Sequence, residues 1–214
     1  MAWWLAGGIS SGDCVLAYAP IGAADATAAR VNLANPGTYD ATVGSAPSWN
    51  TATGWSFNGS QWLESNYSVN STVHTLMIRF ANIGAGSGND YRVGNEPHYL
   101  SPTWYGSRLY TYGNLNIVGV NIAGGTMAQA GGNSYLDGAA DGTLTPSSNG
   151  AYEYIIGARS AAPANPMIGD IVAYALYSRV LNSTEVAALH TAMMGLPEAN
   201  KLPVFMNQYR QRRS

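Results

Sequence analysis

One stretch of the sequence is dense in aromatic side chains, the residue type that stacks against sugar rings. Residues 99–112 carry one Trp and four Tyr. We therefore consider this stretch as a glycan-binding face, with contacts from Trp104, Tyr105, Tyr110 and Tyr112. The alternative is that these rings fill a core, since alternation along a strand buries every second side chain. Both interpretations stay open at this point.

The acidic residues are too dispersed to predict a hydrolytic site. Two carboxylates that cleave a glycosidic bond need a defined separation across the substrate. The closest pair in the sequence, Asp137 and Asp141, falls in a Gly-rich turn, where we expect the acids to stabilise the bend. His74, His98 and His190 lie far apart and lack a second ligand at metal-binding spacing. We therefore predict that the chain is not an enzyme and binds no cofactor.

Charge and hydropathy argue against two classes of partner. The formal net charge of −2 gives no polyelectrolyte signal, so we predict no nucleic-acid partner. No window approaches the roughly 20 apolar residues of a membrane span, and the first residues do not form a signal peptide. We expect a chain made in a cytoplasm, without a membrane partner. Cys14 lies in an apolar run and is predicted to fill core space.

Short β-type runs separated by Gly, Pro, Asn and Ser predict an all-β sandwich or barrel. Asn58-Gly59 lies between two such runs and predicts a tight hairpin. One helix is indicated, with Asn182 as its cap, Glu185 three residues on, and Gly195 at its end. The candidate strands are 14–18, 54–57, 61–64, 73–80, 90–93, 98–105, 108–112, 115–122, 133–136, 152–157 and 168–177.

Both ends of the chain are predicted to lie outside one central domain. We assign residues 1–13 to an N-terminal arm, 14–197 to the sandwich and 198–214 to a C-terminal tail. The two ends carry aromatic and arginine side chains, which dominate interface energies. The assembly contacts predicted on this basis are Trp3, Trp4, Phe205, Tyr209, Arg210, Arg212 and Arg213.

Several stretches resemble the concanavalin A-like superfamily and its laminin-G-like domains. Residues 54–64 (GWSFNGSQWLE) are similar to the opening strands and "F-N-G" hairpin of that family, and residues 168–186 to its closing strand and helix. Tyr135-Leu136-Asp137-Gly138 resembles its "Y-x-N-G" hairpin, with Asp in place of Asn. The resemblance implies an all-β, two-sheet antiparallel jelly-roll sandwich with one short C-terminal helix.

The resemblance also bears on chemistry and biological context. Glucanases of the superfamily use an E-x-D-x-E strand, which this sequence lacks. Some laminin-G domains bind calcium, for which Asp137, Asp141 and Asp170 are candidate ligands, but no dense acidic loop supplies the required oxygens. Residues 31–40 (VNLANPGTYD) look like stretches of laminin-G-like proteins encoded by bacteriophages.

Two functions follow from the sequence. The first is a non-enzymatic structural protein of a bacteriophage virion, in capsid decoration or on the tail. Its partners would be copies of itself and a capsid or tail protein. The alternative is a lectin-like, carbohydrate-binding module that recognises cell-surface glycan. The fold alone does not choose between them, because sandwiches host many unrelated roles.

Overall fold

The computed structural model describes residues 2–69, 73–84, 91–94, 98–105, 107–111, 115–145, 152–158 and 166–196. These residues form the predicted antiparallel β-sandwich with one C-terminal helix, α1 (Ser183–Met194). In chain order the strands are β1 (Cys14–Tyr18), β2 (Thr42–Ser45), β3 (Ser48–Asn50), β4 (Gly54–Asn58), β5 (Trp62–Val69), β6 (Thr75–Ala81), β7 (Tyr91–Gly94), β8 (Tyr99–Trp104), β9 (Ser107–Thr111), β10 (Leu115–Val118), β11 (Gly125–Ala130), β12 (Asn133–Leu136), β13 (Ala139–Thr143), β14 (Tyr152–Ile156) and β15 (Ile168–Tyr177).

Two sheets account for all of these strands. Sheet 1 has the order β13-β12-β11-β6-β15-β4-β3, and β1 pairs with the second half of β15. Sheet 2 has the order β10-β9-β8-β7-β14-β5-β2. Every pairing is antiparallel, and neighbours in a sheet are often distant in sequence. The residues of any surface patch on these sheets therefore come from separate parts of the chain.

The long strand β15 lies at the centre of the fold. Nine of its ten residues are buried, because both of its faces are covered. Ile171 and Leu176 contribute to the core between the two sheets. Ala173 and Ala175 face the other way, into a second apolar cluster with α1. The continuous apolar pattern of this strand is the one expected where both faces pack against other elements.

The outer face of sheet 1 is partly covered by α1 and by the 3₁₀ segment Trp3–Gly8. Asn182 and Glu185 form the predicted capping box at the start of the helix. Arg179 then joins three parts of the chain, since its guanidinium contacts Glu185 at 2.6 Å and Asp13 at 2.7 Å. Much of the segment predicted as an N-terminal arm is thus packed against the domain.

The structure also corrects one predicted connection. The prediction of a hairpin at Asn58-Gly59 is wrong, because β4 belongs to sheet 1 and β5 to sheet 2. This turn instead carries the chain from one sheet to the other. The resemblance-based hairpin at residues 135–138 is confirmed: β12 pairs with β13, and Asp137 and Gly138 have φ values of 49° and 78°.

Cys14 is buried, as its position in an apolar run predicted. Within the described residues, no helix is long and apolar enough to cross a membrane.

Replacing Glu185 by Gln tests the contact that holds the helix start to the domain. The Arg179 guanidinium lowers the pKa of Glu185, so this pair stabilises the fold above the unfolded pKa of about 4.3. We expect Glu185→Gln to lower the free energy of unfolding by about 1 kcal/mol at pH 7. The difference from wild type should shrink as the pH falls below about 4.3, since protonation then removes the same charge. Urea unfolding at several pH values measures this, and a pH-independent difference would contradict it.

Candidate functional site

The aromatic segment predicted as a binding face is divided by the structure. Tyr110 is fully buried, and its ring belongs to the core between the sheets. Tyr105 lies in the turn after β8 with a φ of 46°, and 69% of it is exposed. Trp104 belongs to β8, whereas Tyr112 lies outside the described residues. Tyr110 is therefore corrected from a surface platform to a core residue, and the other three stay predictions.

An ion pair beside Tyr110 ties the two sheets together. Arg108 of β9 reaches the Asp141 carboxylate of β13 with N–O distances of 2.9 and 3.2 Å. The Tyr110 hydroxyl lies 2.8 Å from the same carboxylate. Burial raises the pKa of Tyr110, and the bond to Asp141 adds to the rise. Asp137, the other acid of the predicted pair, instead accepts the backbone N–H of Thr126 at 2.9 Å. Both acids thus have structural contacts.

The histidines have partners that their sequence positions did not indicate. His74 and His98 are both buried, with ring centroids 4.9 Å apart. His74 Nε2 also bonds to the hydroxyl of Tyr154. His190 Nδ1 lies 2.9 Å from the hydroxyl of Thr126. Across the described ranges, no three His, Cys, Asp or Glu side chains are grouped so that they could hold a metal ion.

Two of the predicted assembly contacts, Trp3 and Trp4, lie among the described residues. Trp3 and Trp4 pack edge to face, with ring centroids 5.7 Å apart, against the helix-side cluster. The hydroxyl of Tyr177 donates to the backbone carbonyl of Trp4 at 2.9 Å, which fixes this segment to β15. The roles in assembly, the self and capsid or tail partners and the virion location stay predictions. Five of the predicted contacts lie outside the described residues: Phe205, Tyr209, Arg210, Arg212 and Arg213.

A surface that the sequence did not indicate lies on the outer face of sheet 2, where β2, β5 and β14 run side by side. On β5, Leu63 is buried in the core between the sheets, so Trp62 and Glu64 on either side of it point outward. Neighbouring strands add further outward residues. We name this surface the Trp62 face, and it consists of Thr42, Gly44, Trp62, Glu64, Asn66 and Glu153.

The indole of Trp62 lies across the backbone of Gly44. A Cβ atom added at Gly44 would stand only 1.9 Å from Trp62 Nε1 and 2.3 Å from Cε2, so only glycine leaves room for the ring here. The indole N–H donates to Glu64 Oε1 at 3.3 Å. Trp62 is half-buried, which leaves part of the ring in contact with solvent. The ring is thus held against the sheet surface on one side and open on the other.

The Trp62 face carries two carboxylates, Glu64 and Glu153. Glu153 on β14 accepts the backbone N–H of Asn66 at 2.6 Å. Burial raises the pKa of Glu153, the nearby negative charge of Glu64 adds to the rise, and the Asn66 N–H opposes it. Asn66 has a φ of 57°, which costs energy for most residues but is tolerated by Asn. An acid whose pKa is raised by burial and by a neighbouring charge is a frequent mark of a functional site.

Tyr39 and Tyr67 form an aromatic pair next to Asn66, and Tyr67 packs against the core between the sheets. Their ring centroids lie 5.1 Å apart in an edge-to-face arrangement, and Tyr39 is 39% exposed. Tyr39 has a φ of 59°. The side-chain amide of Asn66 donates to the carbonyl of Asp40 at 2.9 Å, which holds the Tyr39 loop against β5. The Trp62 face therefore combines one aromatic ring with carboxylate and amide groups on paired strands.

The sequence contained part of the signal for this site. Trp62 and Glu64 are two residues apart on a predicted strand, so their common face follows from the strand period. Glu153 lies on a distant strand, and its position beside Asn66 depends on the β14–β5 pairing. That pairing also contains an irregularity between Glu153 and Ile155, which no composition pattern predicts. Local sequence patterns therefore leave these acids dispersed, because their proximity is created by the pairing of β14 with β5.

Known proteins that resemble this chain do so in fold, at low sequence identity. No protein-family model matches the sequence, and no curated protein matches it. Among solved structures, a sialidase from Trypanosoma rangeli in a covalent intermediate complex has a TM-score of 0.54 and 17% identity. The match covers 87% of this chain and 34% of the sialidase, so the chain spans about a third of that protein.

Two further structures extend the comparison. A tryptophan-to-alanine mutant of HCR/D, a botulinum-toxin binding domain, has a TM-score of 0.56 and 12% identity, over 86% of this chain and 53% of the other. Domain 4 of AbnA, a GH43 extracellular arabinanase from Geobacillus stearothermophilus in complex with arabinotriose, has a TM-score of 0.49 and 14% identity, over 83% and 98%. The sialidase and HCR/D share a β-sandwich fold with this chain; laminin-G or phage features are not shown.

These likenesses correct the prediction that the chain is not an enzyme. A fold of this kind forms part of sialidases, which are glycosidases, so the absence of an E-x-D-x-E strand is no argument against catalysis. At 15 to 17% identity the likeness shows a shared fold and assigns no reaction. The structural role on a phage virion finds no support in these comparisons.

Replacing Gly44 by Ala tests whether glycine seats the Trp62 ring. A methyl group at this position overlaps the indole, so the ring must tilt off the strand. We expect a loss of about 1–3 kcal/mol in the free energy of unfolding and a shifted tryptophan emission maximum. Gly12→Ala is the matched control, because a Cβ there meets nothing closer than 3.9 Å. Equal behaviour of the two variants would contradict the packing of Trp62 over Gly44.

Proposed function

We propose that this chain is a carbohydrate-binding β-sandwich domain and that the Trp62 face is its binding surface. The observation that carries the proposal is the Trp62 ring, seated over Gly44 and hydrogen-bonded to Glu64, with a second carboxylate, Glu153, on the neighbouring strand of the same face. Support also comes from the fold, which is shared with parts of sialidases, enzymes that act on glycans.

The chemistry of a sugar ring matches this surface. One side of a pyranose presents C–H groups, which pack well on an aromatic ring, while its edge presents hydroxyl groups. Each carboxylate oxygen has acceptor positions for such hydroxyls, and hydrogen bonds to an ionised acceptor are the stronger kind. Because Gly44 and Glu64 fix the Trp62 ring in advance, little side-chain freedom is lost when a ligand binds.

The charge of the face sets its preference among glycans. Glu64 and Glu153 both carry negative charge when ionised, and their mutual repulsion contributes to the raised pKa of Glu153. An anionic sugar placed on this surface would add a third negative charge at short range. The Trp62 face therefore suits neutral glycans, or sugars with an amino group, better than sialylated or uronic-acid glycans.

A glycan array with three variants tests this proposal. We expect binding of neutral glycans by the wild-type chain and a loss of at least about tenfold in affinity for Trp62→Ala, since stacking on an aromatic ring contributes about 1–3 kcal/mol. Gly44→Ala should weaken binding in the same direction, because it displaces the ring.

Tyr105→Ala serves as the matched control in that experiment, since Tyr105 is an exposed aromatic residue of the segment first predicted from the sequence. Loss of binding with Tyr105→Ala and normal binding with Trp62→Ala would move the site to that segment. An array without signal for the wild-type chain would refute the function itself.

Hydrolysis of a glycosidic bond is a second candidate function of the same surface. The observation that favours it is the raised pKa of Glu153 next to a second carboxylate, Glu64. Glycosidases use such a pair, in which the acid with the raised pKa protonates the leaving oxygen and the other acts as nucleophile or base. Glu153 would then be the acid and Glu64 its partner.

Replacing Glu153 by Gln tests this second candidate. Gln keeps an oxygen that can accept the Asn66 N–H but cannot give up a proton, so release of reducing sugar should fall by about 10²- to 10⁴-fold. Glycan binding should be retained, because the amide still accepts hydrogen bonds. The assay uses neutral β-glucans with wild type, Glu153→Gln and Asp25→Asn as the control. Hydrolysis that is absent from wild type, or equal in Glu153→Gln, rejects the candidate.

A further inference from the structure

A pocket with polar side chains lies on the outer face of sheet 1, across the sandwich from the Trp62 face. Its volume is about 360 Å³, near the lower end of the roughly 300–1,000 Å³ typical of ligand pockets. The pocket is formed where β15 and β6 meet the turn that precedes β4. The lining residues that matter here are Thr53, Arg79, Asn82, Asp170, Val172 and Ile21.

A buried carboxylate, Asp170, lines this pocket. Asp170 is only 6% exposed, yet two neutral side chains orient it. Ser56 Oγ donates to one carboxylate oxygen at 2.5 Å, and Asn82 Nδ2 donates to the other at 2.6 Å. A carboxylate has about four acceptor positions, so these two bonds leave Asp170 able to accept hydrogen bonds from a ligand.

The other walls supply complementary groups. Arg79 is positioned by a hydrogen bond of 2.8 Å from Nη1 to the carbonyl of Met193 at the end of α1. Thr53 adds a hydroxyl that can both donate and accept. Val172 and Ile21 add an apolar surface. One acid and one base line the pocket, so its charge is balanced, in contrast to the acidic Trp62 face.

The backbone turns sharply at this pocket. Asn82 has a φ of 53°, in the left-handed region that Asn adopts more readily than most residues. This conformation follows directly after β6 and places the Asn82 amide on Asp170. The orientation of the Asp170 carboxylate is therefore fixed by the local backbone as well as by its two hydrogen bonds.

We infer that this pocket is a second binding site, for a hydroxyl-bearing ligand about the size of one sugar ring. Asp170 and Thr53 would bond to neighbouring hydroxyl groups, while Val172 and Ile21 would contact the C–H face of the ring. A calcium ion needs about six to eight oxygens, more than these side chains supply. The inference does not depend on the Trp62 face, because the two sites share no residue and lie on opposite sheets.

The test is a titration of the ¹⁵N-labelled chain with the methyl glycosides of glucose, galactose and mannose, followed by amide chemical shifts. We expect shifts at Thr53, Asn82 and Asp170 in the wild-type chain. Ala52→Leu, which places a larger side chain at the pocket wall, should raise the dissociation constant obtained from these shifts about tenfold or more. Asp170→Asn should have the same effect. Trp62→Ala should leave them unchanged.

The outcomes separate the two sites. Glycoside-induced shifts confined to the Trp62 face would overturn the pocket and leave the proposed function in place. Shifts at the pocket that survive Ala52→Leu in a folded variant would also overturn it. Shifts caused by methylammonium chloride but by no glycoside would replace the hydroxyl ligand with a cationic amine. Shifts at the pocket alone would support this inference and refute the Trp62 face.

Discussion

The fold depends on the burial of β15 on both of its faces. One face completes the core between the two sheets through residues such as Ile171, and the other packs against α1 through Ala173 and Ala175. Burial of apolar area is the main favourable term in folding, so a strand covered on both sides contributes about twice as much as one with a solvated face. The helix, the N-terminal 3₁₀ segment and the Arg179 contacts all serve to cover this strand.

This constraint also determines where ligands can bind. The helix covers sheet 1 only in part, so a pocket lined by Asp170 remains beside the end of α1. On sheet 2, β5 carries Trp62 and Glu64 outward beside β2, and β14 adds Glu153. The acids of both surfaces are set on paired strands, which hold polar groups in place more rigidly than loops do. The two sites differ in charge, so they would select different parts of a glycan.

The comparisons with sialidases separate what a fold shows from what a site shows. They establish the sandwich architecture and correct the view that such a chain must be inert, while covering only about a third of each enzyme. The chemistry has to be argued from the residues themselves, because one sandwich supports many functions. Glu153 illustrates this, since its raised pKa comes from its own burial and from Glu64, and from no family motif.

The sequence by itself determined the class of the fold, the capped helix after Asn182 and the alternation that puts Trp62 and Glu64 on one face. These features depend on contacts between residues a few positions apart, which local periodicity and turn chemistry encode. Only the tertiary structure decided that Asn58-Gly59 crosses between sheets, that Tyr110 is buried against Asp141, and that Glu153 meets Asn66. Those outcomes depend on which distant strands pair and in what register, and pairing over long sequence separations is set by the packing of the whole core.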